Sequence, residues 1–231
     1  MDRTLWEALS PRKMIRAVDD RLDTNIAFLT VEEVETTFNP RMALHRTYRY
    51  RLEAMEFWVE PPLDQFNRWL NLFVGTYDAR NFARLEEGKN PQRTVLEAKP
   101  WLDGKRLMGF EITGEAFLWN QVRRVANALF RLAVGELQES DIKAAIEHPL
   151  VPVDFGVAPP EWLVLWGVAW ERAPLPDESH TTAFSSPPTG RTAERTRTGR
   201  WRKAAQHELK SMLYNEWAEI GTLPVVYHRS Q

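Results

Sequence analysis

The segment from Gly114 to Gly135 constrains the fold of this chain more than any other part of the sequence. Its large apolar residues recur at alternating steps of four and three, which draws one stripe along a helix. The residues of that stripe are Leu118, Val122, Val125, Leu129 and Leu132. Arg123 falls at the border of the stripe, where an arginine can pack its stem against apolar walls and direct its guanidinium towards an anion. A core helix with solvated arginines is the plainer interpretation, because arginine is mostly exposed in folded proteins.

The composition allows one large domain or two small ones and excludes several kinds of site. The chain has 231 residues, of which 43% are hydrophobic and ten are tryptophan, so it can build a substantial core. A net charge of -2 argues against a uniformly basic nucleic-acid binder, although it allows local basic patches. The absence of cysteine excludes disulfides and thiolate metal sites, and the five histidines lack metal-ligand spacing. No apolar run reaches the roughly 20 residues of a membrane span, so we expect a soluble cytoplasmic protein without a metal.

The segment from His45 to Leu52 alternates in a way that predicts a β-strand. Arg46, Tyr48 and Tyr50 share one face of that strand, and the residues between them share the other. Two interpretations are open at this point. The tyrosines belong to the core and the arginines to solvent, or the strand presents an aromatic and basic surface to a ligand.

Further segments predict the elements around this strand. Leu63–Val74 has the spacing of an amphipathic helix, and the polar loop after it interleaves arginines with Phe82. Aromatic and basic residues in alternation suit nucleic-acid contact, although the pattern alone is weak. Thr94–Leu102 and Lys105–Thr113 bracket Asp103-Gly104, which predicts a β-hairpin closed by a type I′ turn.

The composition changes after Arg172. Residues 173–200 are rich in proline, serine, threonine and arginine, which is typical of a linker. The basic run Arg191–Lys203 can hold phosphates, although solvated linker charge is the commoner case. Helical spacing returns at Trp201, and an apolar stripe predicts a helix that docks on the rest of the chain. That stripe consists of Leu209, Met212, Leu213 and Trp217.

Several blocks between Ser10 and Trp170 together resemble the TruA-type tRNA pseudouridine synthases, in their archaeal form. The first block is Phe38-Asn39-Pro40-Arg41 followed by Arg46-Thr47-Tyr48-Arg49-Tyr50. The second comprises the loop Gly75–Phe82 and the pair Arg93-Thr94. The third is the helix start Ala116-Phe117-Leu118-Trp119-Asn120-Gln121-Val122-Arg123. The chain resembles that family most specifically in this helix and in the tyrosine-arginine-tyrosine strand.

The resemblance implies both a fold and a reaction. The fold is α+β, with a mixed, mostly antiparallel sheet and helices on one face, and the reaction isomerises uridine to pseudouridine in the tRNA anticodon stem-loop. By resemblance, Tyr48 stacks on the flipped uracil and can remove the final proton. Arg123 pairs with the catalytic aspartate and fills the stack that the flipped nucleotide leaves. The residues expected to contact RNA are Arg41, Arg46, Phe82, Arg93, Asn120 and Arg124.

The same resemblance implies that tRNA is the partner, that the protein forms a homodimer and that no metal or cofactor is needed. The family's nucleophilic aspartate lies in a Gly-Arg-Thr-Asp motif for which this sequence has no counterpart. Gly190-Arg191-Thr192-Ala193 ends in alanine and lies in the linker, and Asp2-Arg3-Thr4 has the wrong order. Asp19, Asp20 and Asp78 have no counterpart among the family's nucleophiles.

We therefore expect a chain that starts after the catalytic motif and divides into four parts. Residues 1–55 are the remnant of the N-terminal catalytic half, and residues 56–172 are the C-terminal half of the synthase domain. Residues 173–200 form a flexible basic linker, and residues 201–231 form a C-terminal helix and tail. Three hypotheses about function follow: a tRNA pseudouridine synthase, a catalytically inactive tRNA-binding remnant, or a subunit completed by a separate N-terminal chain. Without the aspartate, the chain alone is expected to be inactive.

Overall fold

The computed structural model describes residues 10–19, 21–23, 25–26, 31, 33–171 and 195–220. The chain divides into two compact units. The larger unit is Asn39–Asp177, and the smaller one combines Met1–Phe38 with Glu178–Gln231. The candidate site residues Tyr48 and Arg123 both belong to the larger unit.

The larger unit is built on one five-stranded sheet with the strand order β2-β3-β4-β1-β5. Each pairing in this sheet is antiparallel. The strands are β1 His45–Tyr50, β2 Gly75–Asp78, β3 Gln92–Asp103, β4 Arg106–Gly114 and β5 Leu163–Ala169. The predicted α+β class is confirmed, but among the described residues the sheet is antiparallel throughout rather than mixed. This includes the edge strand β5, which comes from a distant part of the chain and pairs antiparallel with β1.

Among the described residues, three α-helices accompany this sheet, and two more lie in the smaller unit. In the larger unit they are α2 Leu63–Asn71, α3 Gln121–Ala133 and α4 Glu139–Glu147, and in the smaller unit α1 Pro11–Asp19 and α5 Arg195–Ile220. The apolar stripe that predicted α3 is buried as expected, since Val125 and Leu129 are fully enclosed. No helix among the described residues is long and apolar enough to cross a membrane.

The core lies between the helices and the sheet face that carries Tyr50, Phe110 and Ile112. Alternation along β1 places Tyr48 and Tyr50 on this face and Arg49 on the other. Phe66 from α2 and Leu129 from α3 fill the same cluster. Burial of a large apolar side chain stabilises a fold by about 1.5–3 kcal/mol, so these residues hold β1 firmly beneath the helices.

The hairpin between β3 and β4 was predicted correctly, but its turn is one residue further along the chain. Asp103 pairs with Arg106, which leaves Gly104 and Lys105 as the two central residues. Only Gly104 has a positive φ, of 61°. A positive φ at the first central position alone fits a type II′ turn rather than the type I′ turn expected from Asp-Gly. The pairing of Asp103 inside the ladder is what moves the turn.

Helix α5 begins at Arg195, ahead of the predicted start at Trp201. Arginine favours helices, and near this start the Arg200 guanidinium donates a hydrogen bond to the Ile26 carbonyl. Leu209, Met212 and Leu213 are exposed, and the docking of α5 through its apolar stripe stays a prediction. The side chain of Trp217, the rest of the predicted linker and the C-terminal tail lie outside the described residues.

Candidate functional site

Tyr48 lies on the core face of β1, at a place that the helices cover only in part. It pairs with Ile112 of β4 on one side and with Leu165 of β5 on the other. Directly opposed residues of antiparallel strands project to the same face. Leu165 is nevertheless 49% exposed, and Tyr48 is half-buried. The helices therefore leave this part of the sheet accessible to solvent, and we call the surface around Tyr48 and Leu165 the open shelf.

Phe117 fixes the orientation of Tyr48. The two rings meet edge to face, with their centroids 5.4 Å apart. Gly114 makes this packing possible, because a Cβ at that position would lie 2.8 Å from the Phe117 ring and 2.8 Å from the Thr94 carbonyl oxygen. The glycine that ends β4 thus allows the following segment to fold back over Tyr48.

Arg123 lies at the border of the core, as the helical pattern predicted, and is half-buried. Its Nε donates a hydrogen bond to the Ala158 carbonyl at 2.7 Å, and its Nη1 donates to Asn120 Oδ1 at 3.1 Å. The Ala158 amide in turn donates to the Arg123 carbonyl. These bonds hold the stem and one edge of the guanidinium in place. No ion pair joins Arg123 to a carboxylate among the residues that the structure describes, so it retains donors for an anion.

Asn120 is the residue that turns the chain into α3. It adopts the left-handed conformation, with φ 62°, which asparagine tolerates better than most residues. Its side chain accepts the hydrogen bond from Arg123. One helical turn thus connects the strained start of α3 to the candidate catalytic arginine, and Asn120 positions Arg123 in this structure.

Tyr50, two residues along β1 from Tyr48, links the strand to Arg123. Its hydroxyl donates to the Pro159 carbonyl at 2.8 Å, and the neighbouring Ala158 carbonyl binds Arg123. Burial raises the pKa of Tyr50 well above its ordinary value; the positive charge of Arg123 lowers it in part, and Glu161 raises it. Tyr50 therefore stays neutral. The consecutive carbonyls of residues 158 and 159 accept hydrogen bonds from Arg123 and Tyr50, respectively.

The raised tyrosine pKa values predict a loss of stability at alkaline pH. Burial also raises the pKa of Tyr77, and the neighbouring Gln121 side chain lowers it only in part. Because the folded state holds these protons more tightly, their contribution is complete below the unfolded pKa of about 10 and is lost as the pH rises above it. The free energy of unfolding should fall by up to about 1.4 kcal/mol per pH unit for each such tyrosine.

Denaturant titrations between pH 8 and pH 11.5 measure this loss. Tyr50→Phe should make the decline shallower than it is for the wild type. Equal slopes for the wild type and Tyr50→Phe would contradict the assignment.

The arginines expected to contact RNA are partly engaged with the protein itself. The Arg46 guanidinium donates hydrogen bonds to the carbonyls of Ala43, Glu115 and Arg41. Arg93 donates to the carbonyls of Asn90 and Gln92. Carbonyl partners leave the positive charge of an arginine unneutralised, so both remain suited to phosphate contact.

Two of the expected RNA contacts look different in the structure. Phe82 is fully buried and stacks on Phe155 at 4.9 Å, so the expectation that it contacts RNA is wrong. Burial of this ring in the apolar core is more favourable than its exposure on the loop surface. Arg124 forms an ion pair with Asp154 at 2.6 Å, and this contact neutralises part of its charge. Arg41 has an exposed side chain.

The sheet register gathers several of these arginines at one end of the larger unit. Arg46 near the start of β1 and Val95 near the start of β3 both pair with Gly114 at the end of β4. Arg84 forms an isolated β-bridge with Trp119, in the segment that follows β4. We refer to these residues as the arginine rim: Arg41, Arg46, Arg84 and Arg93.

Sequence reasoning missed the contact between Arg84 and Trp119. The Arg84 guanidinium lies over the indole ring, 4.8 Å from its centroid. The residues are 35 positions apart, and only the interleaving of arginines and aromatics in the loop hinted at such a pair.

Among the described residues, no group of histidines and carboxylates is placed to hold a metal ion.

Several known proteins are similar to this chain. Residues 70–171 match the family model described as tRNA pseudouridine synthase. Proteins named tRNA pseudouridine synthase A are similar to more than 60% of this chain. The one from Methanoculleus marisnigri is 34% identical over 171 residues, which are 72% of this chain and 60% of that relative. The one from Thermococcus kodakarensis is 33% identical over 152 residues, 64% of this chain and 53% of the relative.

A more distant relative with the same name, from Exiguobacterium, is 27% identical over 172 residues, 69% of this chain and 70% of that protein. The chain spans about 60% or less of the length of the two more similar relatives. The resemblance expected from the strand and helix motifs is confirmed by these matches.

Proposed function

We propose, from the match of residues 70–171 to the family model described as tRNA pseudouridine synthase, that the protein takes part in converting uridine to pseudouridine in tRNA. The observation that carries the proposal is the joint anchoring of Tyr50 and Arg123 by consecutive carbonyls, beside the open shelf that holds Tyr48. The aromatic ring of Tyr48 suits a flipped base, and the partly free guanidinium of Arg123 suits an anion.

In the proposed mechanism, the carboxylate of an aspartate attacks the flipped uridine, and the glycosidic bond to N1 of the uracil breaks. The uracil then bonds to the ribose through C5, and the bond to the aspartate is broken. Tyr48 stacks on the uracil and removes the final proton. Arg123 pairs with the aspartate and keeps it ionised, because an adjacent positive charge favours the charged form of a carboxylate. Extruding the nucleotide costs a few kcal/mol, which stacking on Tyr48 and insertion of Arg123 offset.

The proposed nucleophile is the aspartate of a Gly-Arg-Thr-Asp motif, a run that residues 1–231 do not contain. Asp78 is a poor substitute, because both of its carboxylate oxygens accept hydrogen bonds from Arg80. Burial alone would raise the pKa of Asp78, but the hydrogen bonds from Arg80 outweigh it and lower the pKa. Asp78 is thus ionised but committed to another cation.

The finer features of this function also follow the family resemblance. The substrate region is the tRNA anticodon stem-loop, and the active form is a homodimer. A second candidate function, binding of tRNA without catalysis, is favoured by the lack of a carboxylate at Arg123 among the described residues.

A tritium-release assay distinguishes the two functions. On tRNA labelled with tritium at uridine C5, the chain alone should release no tritium, because neither Tyr48 nor Arg123 replaces a carboxylate nucleophile. Adding an N-terminal fragment that carries Gly-Arg-Thr-Asp should produce release. The matched control is the same fragment with its motif aspartate changed to alanine, which should produce none.

Each other outcome has a definite meaning. Release by the chain alone would overturn the proposed source of the nucleophile. Tight tRNA binding without release, even with the intact fragment, would favour the non-catalytic candidate. Absence of tRNA binding at low salt would contradict both functions, since phosphate contacts dominate affinity under those conditions.

A further inference from the structure

Trp119 is an exposed tryptophan next to the candidate catalytic arginine. It is 55% exposed, and it lies two residues before α3 and four residues before Arg123. Tryptophan is strongly buried on average in folded proteins. Exposure alone does not assign a partner, because Trp166 is 47% exposed as well; what distinguishes Trp119 is its surroundings.

The structure holds this tryptophan in one place rather than leaving it loose. The Arg84 amide donates a hydrogen bond to the Trp119 carbonyl at 2.9 Å, and the Arg84 guanidinium lies 4.8 Å from the ring centroid. Gln121 Oε1 accepts a hydrogen bond from the Leu118 amide at 2.9 Å, and Asn120 fixes the turn that follows. A ring with a prearranged orientation loses little conformational entropy when a flat ligand stacks on it.

The surroundings indicate what kind of ligand that is. Trp119 belongs to the same sheet end as the arginine rim, and Arg123 lies one turn further along α3. Aromatic rings combined with arginines are the usual surface for unpaired nucleobases, which stack on the ring while the backbone phosphates meet the cations. A protein partner would suit the ring but would not account for the surrounding positive charge.

We propose that Trp119, held by Arg84, is a stacking platform for an unpaired nucleobase of the RNA, next to the nucleotide that enters the site of Tyr48 and Arg123. This inference rests on the proposed function and extends it, because it identifies a residue that positions the RNA strand outside the reacting nucleotide. Trp119 takes no part in bond making or breaking.

Affinity measurements with two RNA ligands test the platform. The ligands are a tRNA anticodon stem-loop and a fully paired RNA duplex of similar length. Trp119→Ala should weaken stem-loop binding about tenfold, within the range for loss of one stacked base, and should leave duplex binding unchanged. Trp119→Phe should weaken stem-loop binding only about two- to threefold, because a smaller ring still stacks.

Trp166 offers a matched control within the same chain. It is 47% exposed and also lies under an arginine, with the Arg49 guanidinium 3.8 Å from its centroid. Arg49 alternates with Tyr48 along β1 and therefore points to the opposite face of the sheet. Trp166, which contacts Arg49, lies on that opposite face. Trp166→Ala should bind both RNA ligands as the wild type does. Thermal unfolding of each variant verifies that it is folded.

The outcomes separate the platform from the function on which it rests. Stem-loop binding by Trp119→Ala that equals the wild type would overturn the platform and leave the proposed function standing. An equal loss for both ligands would also overturn it, because stacking on an unpaired base affects only the stem-loop. No stem-loop binding by the wild type would overturn the proposed function and the platform together.

Discussion

Arg123→Met is expected to lower tritium release from tRNA at least about a hundredfold, with the aspartate-bearing fragment present. Methionine keeps an unbranched stem against the core border but removes the charge that pairs with the carboxylate. It also leaves the Ala158 carbonyl without its donor at 2.7 Å, which should cost about 1 kcal/mol of stability. The expected loss of activity is therefore far larger than the loss of stability explains.

Two further variants make this prediction specific. Arg123→Lys retains the charge but cannot donate from Nε and Nη1 at once, so we expect an activity between those of Arg123→Met and the wild type. Arg131→Met is the matched control, because Arg131 lies on the same helix and forms an exposed ion pair with Glu136. Single-turnover release should be normal for Arg131→Met. If Arg123→Met and Arg131→Met release tritium at the same rate, Arg123 has no catalytic role.

Gly109→Ala is expected to destabilise the protein by about 3 kcal/mol or more, at or above the upper end for overpacking. A Cβ at this position would lie 2.0 Å from the Tyr50 carbonyl oxygen and 2.8 Å from the Leu52 amide nitrogen. Both atoms belong to the backbone, so no side-chain rotation relieves the clash. The methyl group can fit only if β4 and the end of β1 move apart.

Chemical denaturation measures this effect, and for a chain of this size the midpoint of thermal unfolding should fall by roughly 6–12 °C. Gly88→Ala is the matched control. Gly88 has a φ of 74°, and a methyl group added there would have no neighbouring atom within 4 Å, so only the cost of a left-handed alanine applies, about 1–2 kcal/mol. Similar losses for the two variants would show that strand proximity at Gly109 is not what makes glycine necessary.

The Gly109 variant also connects the fold to the site. Tyr50 ends β1 directly against Gly109, and Tyr48 precedes it by two residues on the same face. A displacement at the end of β1 should therefore weaken the bond from Tyr50 to Pro159 and loosen the support beside Arg123. If some folded Gly109→Ala protein persists, its tRNA conversion should be reduced.

The sequence by itself determined the features that depend on the spacing of apolar and polar residues within one helix or strand. The steps of four and three through Val122, Val125 and Leu129 predicted the buried side of α3, because helical period and burial are both encoded within a few turns. The same pattern placed Arg123 at the border of the core. The strand carrying Tyr48 and Tyr50 was likewise legible from its alternation.

Only the tertiary structure decided which partners the polar and aromatic side chains meet. Phe82 was predicted on a nucleic-acid surface, yet it stacks on Phe155 in the core, and nothing near Phe82 in the sequence indicates that partner. The turn after Asp103 depends on a cross-strand pair with Arg106, and the platform at Trp119 depends on Arg84. In each case the deciding contact joins segments that sheet register and helix packing bring together. Local periodicity determines which face of an element is apolar, whereas register determines what lies opposite it.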